Sequence, residues 1–310
     1  MRTVALVLTG LIGALVAGPG QPDYENEAES WTPAPSCASG LSKVDSASDE
    51  FDEPLDGRWR VYDVANGDRS AELAYLPEMV EVSGGVLRLY VRADDPDDGV
   101  NGYPAGAVES TFDVIGASPG QASCVEVRTK GFAANVARPG TWDQNVFSAV
   151  WLHDRPSRYE LNPNPEIDIQ EFIQTDQVYS ALHTWELDSA DDETPTRTDP
   201  DRCHTGKPDT SPVGEGIDDC HSASLGLGDL TASQHTYGLR REIAVIDGEA
   251  AGLLTVYVDG IATWTRQFPA DSPFVTDDRH VILSTQGNPP GDPGPPFPKV
   301  ALHAWVRTYA

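Results

Sequence analysis

The chain has 310 residues, of which 39% are hydrophobic and 8% aromatic, and its formal net charge at pH 7 is −28. This apolar and aromatic content is enough for a buried core, which excludes an intrinsically disordered chain. The 28 Gly and 25 Pro interrupt the sequence too often for a long helical bundle. Because phosphate groups are bound by basic surfaces, the negative charge argues against nucleic acid and anionic membrane surfaces as partners.

The first residues have the layout of a secretory signal peptide. Residues 1–17 contain a single basic residue, then an apolar run, then small residues, so we expect cleavage near Ala17. A membrane anchor is the alternative, but the run is shorter than the roughly 20 residues that span a bilayer. Residues 18–45 are rich in Pro, Ser, Gly and Glu and predict a linker or extended arm. We therefore expect a secreted protein, free of the membrane once the signal is removed, whose folded domain is 46–310.

An even number of cysteines fits a chain that folds in an oxidising compartment. We favour a Cys203–Cys220 disulfide, which would close a polar loop, and therefore a Cys37–Cys124 disulfide. Three pairings are open in principle. A histidine follows each of the last two cysteines, which makes zinc binding an alternative. Adjacent Cys-His pairs lack the ligand spacing of structural zinc sites, so disulfides are preferred.

Short β-type segments recur between turn signals along the rest of the chain. Each has about 4–8 residues and contains β-branched or aromatic side chains. The predicted strands are Met79–Val82, Val86–Arg92, Ser123–Lys130, Val146–His153, Glu166–Ile173, Val178–Trp185, His235–Leu239, Leu253–Val258, Ile261–Arg266, His280–Thr285 and Leu302–Tyr309. The residues 258–261 (VDGI) predict a tight hairpin turn. This spacing predicts an all-β antiparallel sandwich or jelly roll, interrupted by a long acidic loop at 186–233.

The most informative segment is the acidic strand within 163–173 (PNPEIDIQEFI). On a helix, Glu166 would point away from Asp168 and Glu171. On a strand, Glu166 and Asp168 share one face, but strict alternation would place Glu171 on the other face. One extra residue near 169–170, a β-bulge, brings the three carboxylates together. The apolar side chains of Ile167, Ile169 and Phe172 then share the opposite face. Ile173 falls on the acidic side, and the sequence gives no explanation for its position there.

Three carboxylates on one strand face repel one another and destabilise the strand. Such an arrangement is useful in a retaining glycosidase, in which two carboxyl groups lie about 5–5.5 Å apart and act as nucleophile and acid/base. Their shared field keeps one of them protonated near neutral pH. The alternative is a solvated acidic face on an acidic protein.

The acidic strand resembles glycoside hydrolase family 16, which carries E-x-D-x-x-E on a bulged strand in a jelly-roll cleft. Further matches follow in order across about 46–310; they are 48–59 (opening segment), 126–130 (EVRTK), 149–152 (AVWL), 182–185 (LHTW), 235–260 (HTYG to VYVDG) and 305–309 (WVRTY). The resemblance implies a concanavalin-like jelly roll with a substrate cleft on its concave sheet. It also implies a secreted retaining endo-β-glycosidase.

The resemblance implies a role for each carboxylate. Glu166 would be the nucleophile, Glu171 the acid/base, and Asp168 would hydrogen-bond the nucleophile and help to set the proton affinity of the pair. His183 and Trp185 would face the cleft from a neighbouring strand.

Two further tryptophans, Trp142 and Trp151, are candidates for stacking on sugar rings; core packing is the alternative for each.

The substrate class is narrowed by two opposing features. Pro165-Glu166-Ile167-Asp168 is more similar to the galactan-cleaving branches, such as agarases and porphyranases. The net charge instead repels sulfated galactans, unless a local basic subsite is formed by Arg155, Arg158, Arg197 or Arg202. We therefore expect a β-linked polysaccharide, either a β-1,3/1,4-glucan or a red-algal-type galactan, with a neutral β-glycan as the safer class.

We predict no cofactor and a monomeric enzyme. Many family members hold a structural calcium through an Asp in the closing strand, where this chain has Ala304. The acidic residues 188–192 could bind such an ion loosely, but calcium is not predicted.

Other functions remain as alternatives. A non-catalytic carbohydrate-binding or lectin-like sandwich would share the fold, and a transglycosylase would share the covalent intermediate. The residues 116–120 (GASPG) match the G-x-S-x-G pattern of lipases and esterases. Pro119 follows Ser118 and has no N–H to donate to an oxyanion, so a turn is the preferred interpretation.

Overall fold

The computed structural model describes residues 32–63, 73–93, 103–133, 146–153, 164–173, 175–186, 196–197, 218–223, 225–287 and 297–310. Within these ranges, no helix is long and apolar enough to cross a membrane. The predicted signal peptide, residues 1–17, lies outside them, as do Trp142, Cys203 and the acidic residues 188–192.

Nearly all regular structure in these ranges is β. The strands are β1 (Trp59–Val61), β2 (Leu73–Tyr75), β3 (Val80–Val82), β4 (Leu87–Val91), β5 (Tyr103–Ala105), β6 (Ala107–Ser110), β7 (Ser123–Lys130), β8 (Val146–His153), β9 (Asn164–Glu171), β10 (Val178–Glu186), β11 (Thr196–Arg197), β12 (Asp218–Ala223), β13 (His235–Ile246), β14 (Glu249–Val258), β15 (Ile261–Pro269), β16 (His280–Gly287) and β17 (Lys299–Tyr309). The helical pieces are two 3₁₀ turns, Asp45–Ala47 and Pro77–Met79, and one short helix, α1 (Pro273–Thr276).

The strands form two sheets that pack face to face. The eight-stranded sheet has the order β1-β6-β16-β8-β9-β10-β11, with β12 also paired to β10. The nine-stranded sheet has the order β15-β14-β13-β7-β17-β4-β5-β2, with β3 also paired to β4. Neighbouring strands are antiparallel except for β2 and β5, which are parallel. The predicted all-β sandwich is confirmed.

Alternating side chains build the core between the sheets. Along β4, Leu87, Leu89 and Val91 are buried, and the residues between them are more exposed. Apolar residues of both sheets meet in one cluster, for example Val127 of β7 and Ile167 of β9. The strand period of two therefore separates a dry inner face from an outer face on each sheet.

The predicted strands are all present, with adjusted ends. Met79 ends a 3₁₀ turn instead of starting β3, and β13 continues to Ile246, well beyond the predicted 235–239. The missed strands are β1, β2, β5 and β6, together with β11 and β12 inside the predicted loop 186–233. Most of these have only two to four residues, too few to show an alternating pattern, and β12 (DDCHSA) is polar.

The segment before the first strand is tied to the nine-stranded sheet. The predicted Cys37–Cys124 disulfide is present, with a Cα–Cα distance of 5.7 Å. Ser42 and Ala310 exchange backbone hydrogen bonds beyond the end of β17. Cys220 lies on β12, but its predicted partner is outside the described residues, so that disulfide stays a prediction.

Two predicted turns are confirmed. Asp259 and Gly260 join β14 to β15 with φ values of +49° and +81°, as a type I′ hairpin requires. Ser118 and Gln121 exchange backbone hydrogen bonds around Gly120, whose φ is +77°. The G-x-S-x-G match is therefore part of a tight turn and not a strand-to-helix nucleophile elbow.

Candidate active site

The acidic strand β9 contains the predicted bulge. Opposite β8, Glu171 pairs with Ala149, whereas Asp168 pairs with Trp151, so three residue steps on β9 match two on β8. The register shift makes Ile169 the extra residue of the bulge.

The bulge places the three carboxylates on the outer face of the eight-stranded sheet. Directly paired residues in an antiparallel sheet share a face. Trp151 and Ala149 belong to a cluster on the outer face, separate from the main core. Their partners Asp168 and Glu171 therefore lie on that face, and Glu166 joins them because it is two residues before Asp168 on a regular stretch of strand.

The apolar side of β9 anchors it in the core. Ile167 and Ile169 are fully buried and Phe172 is 1% exposed. The Phe172 ring packs edge-on against Tyr237 at a centroid distance of 5.4 Å. It also lies against Gly131, where a Cβ would come within 2.5 Å of the ring, so the chain needs glycine there. This packing holds Phe172 in the core and so fixes the position of the end of β9 after the bulge.

Side chains take over the backbone hydrogen bonds that the bulge interrupts. Ser180 Oγ donates to the carbonyl oxygen of Ile169 at 2.8 Å. The buried amide of Gln170 accepts from the N–H of Tyr179 at 3.1 Å and donates to the carbonyl oxygen of Glu171 at 3.0 Å. Because buried backbone groups are costly to leave unpaired, these contacts stabilise the irregular geometry.

The position of Ile173 on the acidic side has a packing explanation. Ile173 forms a small buried cluster with Tyr179 and Ala181 of β10. Ala181 pairs directly with Asp168, so this cluster lies on the same outer face as the carboxylates. It gives the acidic face a dry patch beside Asp168.

His183 lies next to the carboxylates, as expected. It pairs with Glu166 across β9 and β10, and its Nε2 is 3.3 Å from Oδ2 of Asp168. Both side chains are largely buried, with 5% and 7% exposed. Potential ligand atoms of Glu166, Asp168 and His183 lie within 4.8 Å of one another. These three groups could hold a cation, but they are also the groups that glycosidase chemistry would use.

Among the predicted sugar-binding tryptophans, Trp151 is on the outer face beside Asp168. It is 7% exposed, and its indole N–H donates to Ser284 Oγ at 3.1 Å. Trp185 lies on β10, where its backbone pairs with Asn164. Of the arginines proposed for a basic subsite, Arg197 is on β11 and the others lie outside the described residues. Ala304 lies where the register between β17 and β7 shifts.

Sequence reasoning missed the β1 side of this face. Trp59 and Val61 of β1 contact the core, so Arg60 between them lies on the outer face. Tyr62, the next residue of that alternation, packs against the Trp151 cluster. The alternation in 59–62 (WRVY) covers only four residues, which is too short to identify this strand from the sequence.

Comparison with known proteins places the fold. No protein-family model and no curated protein sequence matches the chain. Solved structures do match; one is an endo-1,3-β-glucanase from Streptomyces sioyaensis, with 18% identity, a TM-score of 0.60, and coverage of 90% of this chain and 99% of that one. Porphyranase B from Zobellia galactanivorans has 16% identity, a TM-score of 0.58, and coverage of 94% and 97%.

A third match carries the family name. The structure of SCLam, a non-specific endo-β-1,3(4)-glucanase from family GH16, has 20% identity, a TM-score of 0.56, and coverage of 88% and 92%. At these identities the likeness concerns the fold, and it extends over almost the whole of each compared structure. The resemblance found in the sequence is thus confirmed at the level of the fold, which is the jelly-roll sandwich of glycoside hydrolase family 16.

Proposed function

We propose that the protein is a secreted, retaining endo-β-glycosidase of family 16 that hydrolyses a β-linked polysaccharide by double displacement. One observation carries the proposal: the bulge at Ile169 brings Glu166, Asp168 and Glu171 to one outer sheet face. A solvated acidic surface has no need of a bulge whose backbone groups are satisfied by buried Gln170 and Ser180. The match in fold to two glucanases and a porphyranase supports the same conclusion.

In the first step, Glu166 attacks the anomeric carbon while Glu171 donates its proton to the glycosidic oxygen. The bond from the anomeric carbon to that oxygen breaks, and an ester to Glu166 forms. In the second step, Glu171, now a carboxylate, takes a proton from water. The water oxygen attacks the anomeric carbon and releases Glu166, so the product keeps the β configuration.

Asp168 and His183 position this pair. Asp168 lies between the two glutamates in sequence and is almost fully buried, so its orientation is restricted. The imidazole of His183 at 3.3 Å restricts it further. An oriented Asp168 next to Glu166 can hydrogen-bond the nucleophile and stabilise one arrangement of protons on the cluster.

The disulfide and the charge support the proposed extracellular compartment. Cys37–Cys124 is a stable cross-link in an oxidising environment. A net charge of −28 favours a soluble monomer that keeps away from anionic surfaces. These features support secretion and monomeric action on a polysaccharide.

A substrate panel tests the activity. The wild-type protein is incubated with laminarin, lichenan, agarose and κ-carrageenan, and products are sized by chromatography. We expect medium-sized oligosaccharides, typical of endo action, from at least one polysaccharide. Glu166→Gln should abolish release of reducing ends without lowering the melting temperature. Glu249→Gln, the same change on the nine-stranded sheet, is the control and should keep full activity.

Other outcomes separate the alternatives. Tight binding without cleavage across the panel would contradict the enzyme assignment and support a lectin-like module. When an oligosaccharide acceptor is added to these reactions, products longer than that acceptor would show that a sugar, and not water, resolves the intermediate. Wild-type activity in Glu166→Gln would contradict the proposed nucleophile.

A further inference from the structure

A serine, a histidine and an aspartate lie within hydrogen-bond distance of one another where β13 begins. Ser233 Oγ is 3.1 Å from Nε2 of His235. Nδ1 of His235 is 2.7 Å from Oδ2 of Asp259, which lies in the turn between β14 and β15. These three strands belong to the nine-stranded sheet, so the cluster is separate from the carboxylates of β9. A hydroxyl next to a base that a third group orients is the arrangement of an activated serine nucleophile.

The chemistry of the three groups fixes the positions of the protons. An ionised carboxylate only accepts hydrogen bonds, so Nδ1 of His235 carries a proton and donates it to Asp259. In the neutral imidazole, Nε2 is then the acceptor, and the hydroxyl of Ser233 donates to it. The imidazole therefore has the tautomer that a general base for this hydroxyl requires.

The Asp259 carboxylate is held in place on both of its oxygens. Oδ2 bonds His235, and Oδ1 accepts the N–H of Thr236 at 2.8 Å. Nη1 of Arg128 lies 3.7 Å from Oδ1. These contacts also fasten the hairpin to β13, so the orientation of the imidazole is set by the fold itself. A fixed carboxylate at this distance stabilises the imidazolium that forms when His235 takes a proton.

The turn that carries Ser233 is fixed by the aspartate at its start. Asp229 Oδ1 accepts the backbone N–H of Thr231 at 2.8 Å and its hydroxyl at 2.6 Å. The N–H of Ala232 donates to the carbonyl oxygen of Asp229 at 3.1 Å. Ser233 is exposed, whereas the side chain of His235 is 13% exposed. The hydroxyl is therefore open to a reagent from solvent while its base is held beneath it.

Two backbone donors next to the hydroxyl are open as well. Within the described part of the chain, the N–H groups of Ser233 and Gln234 have no hydrogen-bond acceptor. Acyl transfer needs such donors for the oxygen that becomes negative, and in many hydrolases the residue after the nucleophile supplies one. Ser118 has neither advantage, because its hydroxyl bonds the amide oxygen of Gln121 at 3.0 Å and the next residue is a proline.

We propose that Ser233, His235 and Asp259 form a second active site, a nucleophilic triad that hydrolyses short acyl esters. The inference goes beyond the proposed glycosidase and uses none of its residues. Short acyl groups are the expected substrates because the neighbouring turn residues, Thr231 and Ala232, are small and offer no apolar channel for a long chain.

The reaction has two steps. Ser233 Oγ attacks the carbonyl carbon of the ester while His235 Nε2 takes the hydroxyl proton, and the alcohol leaves with that proton, so Ser233 is acylated. Water then attacks the acyl carbon, His235 takes a proton from it and returns one to Ser233 Oγ, and the carboxylic acid is released. The net reaction is ester plus water to acid plus alcohol, with Asp259 as the group that orients the base.

Covalent labelling tests the nucleophile. The folded protein is incubated with a fluorophosphonate probe, which bonds to activated serines with loss of fluoride, and the modified peptide is identified by mass spectrometry. We expect the label on Ser233, and we expect it to be lost in His235→Gln. Ser118→Ala, at an exposed turn serine that lacks a base, is the matched control and should label as the wild type does. Labelling of Ser118 as fast as Ser233, or no labelling of Ser233, overturns the inference.

Turnover of 4-nitrophenyl acetate tests the activity. Ser233→Ala and His235→Gln should each lower the rate by about 10²-fold. The double variant should be no slower than either single variant, because the two groups act as a unit. Hydrolysis that is lost in His235→Gln but kept in Ser233→Ala would assign the reaction to the imidazole alone and overturn the triad.

The role of Asp259 is tested with Asp259→Asn, which should lower turnover because an amide can hold the imidazole in the wrong tautomer. Melting temperature and near-ultraviolet circular dichroism verify that each variant is folded. Ser233→Ala removes only an exposed hydroxyl, so its stability should match the wild type and its result stands even if the hairpin variants unfold. The polysaccharide panel and the ester assay use the same wild-type preparation, so either proposal can fail without the other.

Discussion

The carboxylates on the outer faces of the two sheets have opposite surroundings: one is paired with cations, and the others lie next to further carboxylates. Beside the nine-stranded sheet, Glu50 accepts hydrogen bonds from Arg307 at 2.8 and 2.9 Å and from Lys43 at 2.8 Å. These contacts, the one from Arg307 first, lower the pKa of Glu50 to about 2. On the eight-stranded sheet, Glu166 and Asp168 lie within the same strand as a third carboxylate. The carboxylate that is surrounded by cations stabilises the fold, whereas the clustered carboxylates are the ones to which the proposed function assigns proton transfer.

The two sheets also use His-Asp pairs differently. His235 Nδ1 lies 2.7 Å from Oδ2 of Asp259, which also accepts the N–H of Thr236, so this pair fastens the β14–β15 hairpin to β13. His183 and Asp168 are less exposed and lie beside Glu166. The same residue types therefore fasten a turn at one site and, in the proposed function, orient the nucleophile at the other.

The largest expected effect is at Glu171. Glu171→Gln removes the proton donor and should lower kcat/KM on the polysaccharide by about 10²–10⁴-fold. An aryl glycoside with a good leaving group needs no protonation, so its first step should stay fast and release a burst of phenol. Stopped-flow absorbance measures the burst. Equal slowing of both substrates would contradict the role of Glu171.

The disulfide contrasts with the carboxylates because it affects stability and not chemistry. The pair Cys37→Ser and Cys124→Ser opens a cross-link across 87 residues. For a loop of this size, the free energy of unfolding should fall by about 4 kcal/mol. Urea unfolding measures the loss. Activity at a temperature where the variant is folded should match the wild type, and a loss of activity there would contradict the separation of roles.

Substitution of His303 tests whether a buried, neutral imidazole between the sheets makes the fold sensitive to acid. Within the described residues, neither ring nitrogen of His303 has a hydrogen-bond partner, and burial lowers its pKa from 6.5 to about 3. Protonation then favours the unfolded chain, so stability is full above about pH 6.5 and is lost as pH falls towards 3. His303→Leu should remove this part of the acid sensitivity, worth about 1.4 kcal/mol per pH unit in that window.

Urea unfolding of wild type and His303→Leu at pH 7.5 and pH 4.5 provides the comparison. The stability of the variant relative to wild type should rise at the lower pH, whatever its value at the higher one. The control is Thr129→Val, at the residue that pairs with His303. Threonine does not titrate in this range, so the stability of this variant relative to wild type should be the same at both pH values. A relative stability of His303→Leu that is independent of pH would contradict a neutral, buried imidazole.

The smallest expected effect is at Glu50, whose side chain is 35% exposed. Glu50→Gln should cost about 1 kcal/mol or less, because solvent screens such pairs. The pKa of Glu50 is lowered, so its contribution is present above about pH 4.5 and is lost as pH falls towards 2. Thermal melts at pH 7 and pH 3 measure it. A loss of activity in this variant would contradict the claim that Glu50 contributes only to stability.

Several features could be predicted from the sequence because they depend on local patterns. The bulge in β9 follows from two apolar residues, Ile167 and Ile169, that must stay in the core while Glu166, Asp168 and Glu171 share the other face. The hairpin at 258–261 follows from the positive φ that Asp-Gly tolerates.

The rest depends on contacts between residues far apart in sequence. Nothing near Gln170 indicates that Ser180 satisfies the bulge carbonyl from β10. The pairing of Trp151 with Asp168 appears only when the strand order places β8 beside β9. The three residues of β1 are too few for a period to show in the sequence.

The central claim is that β9 presents Glu166 and Glu171 to one sugar ring in different roles. The most direct test is azide rescue of Glu166→Gly and Glu171→Gly on a 2,4-dinitrophenyl β-glycoside of the sugar unit that the panel identifies, with product anomers assigned by NMR. We predict an α-glycosyl azide from Glu166→Gly, since azide replaces the nucleophile, and a β-glycosyl azide from Glu171→Gly, since azide attacks the glycosyl-enzyme. The same anomer from both variants, or rescue of neither in folded protein, would contradict the account.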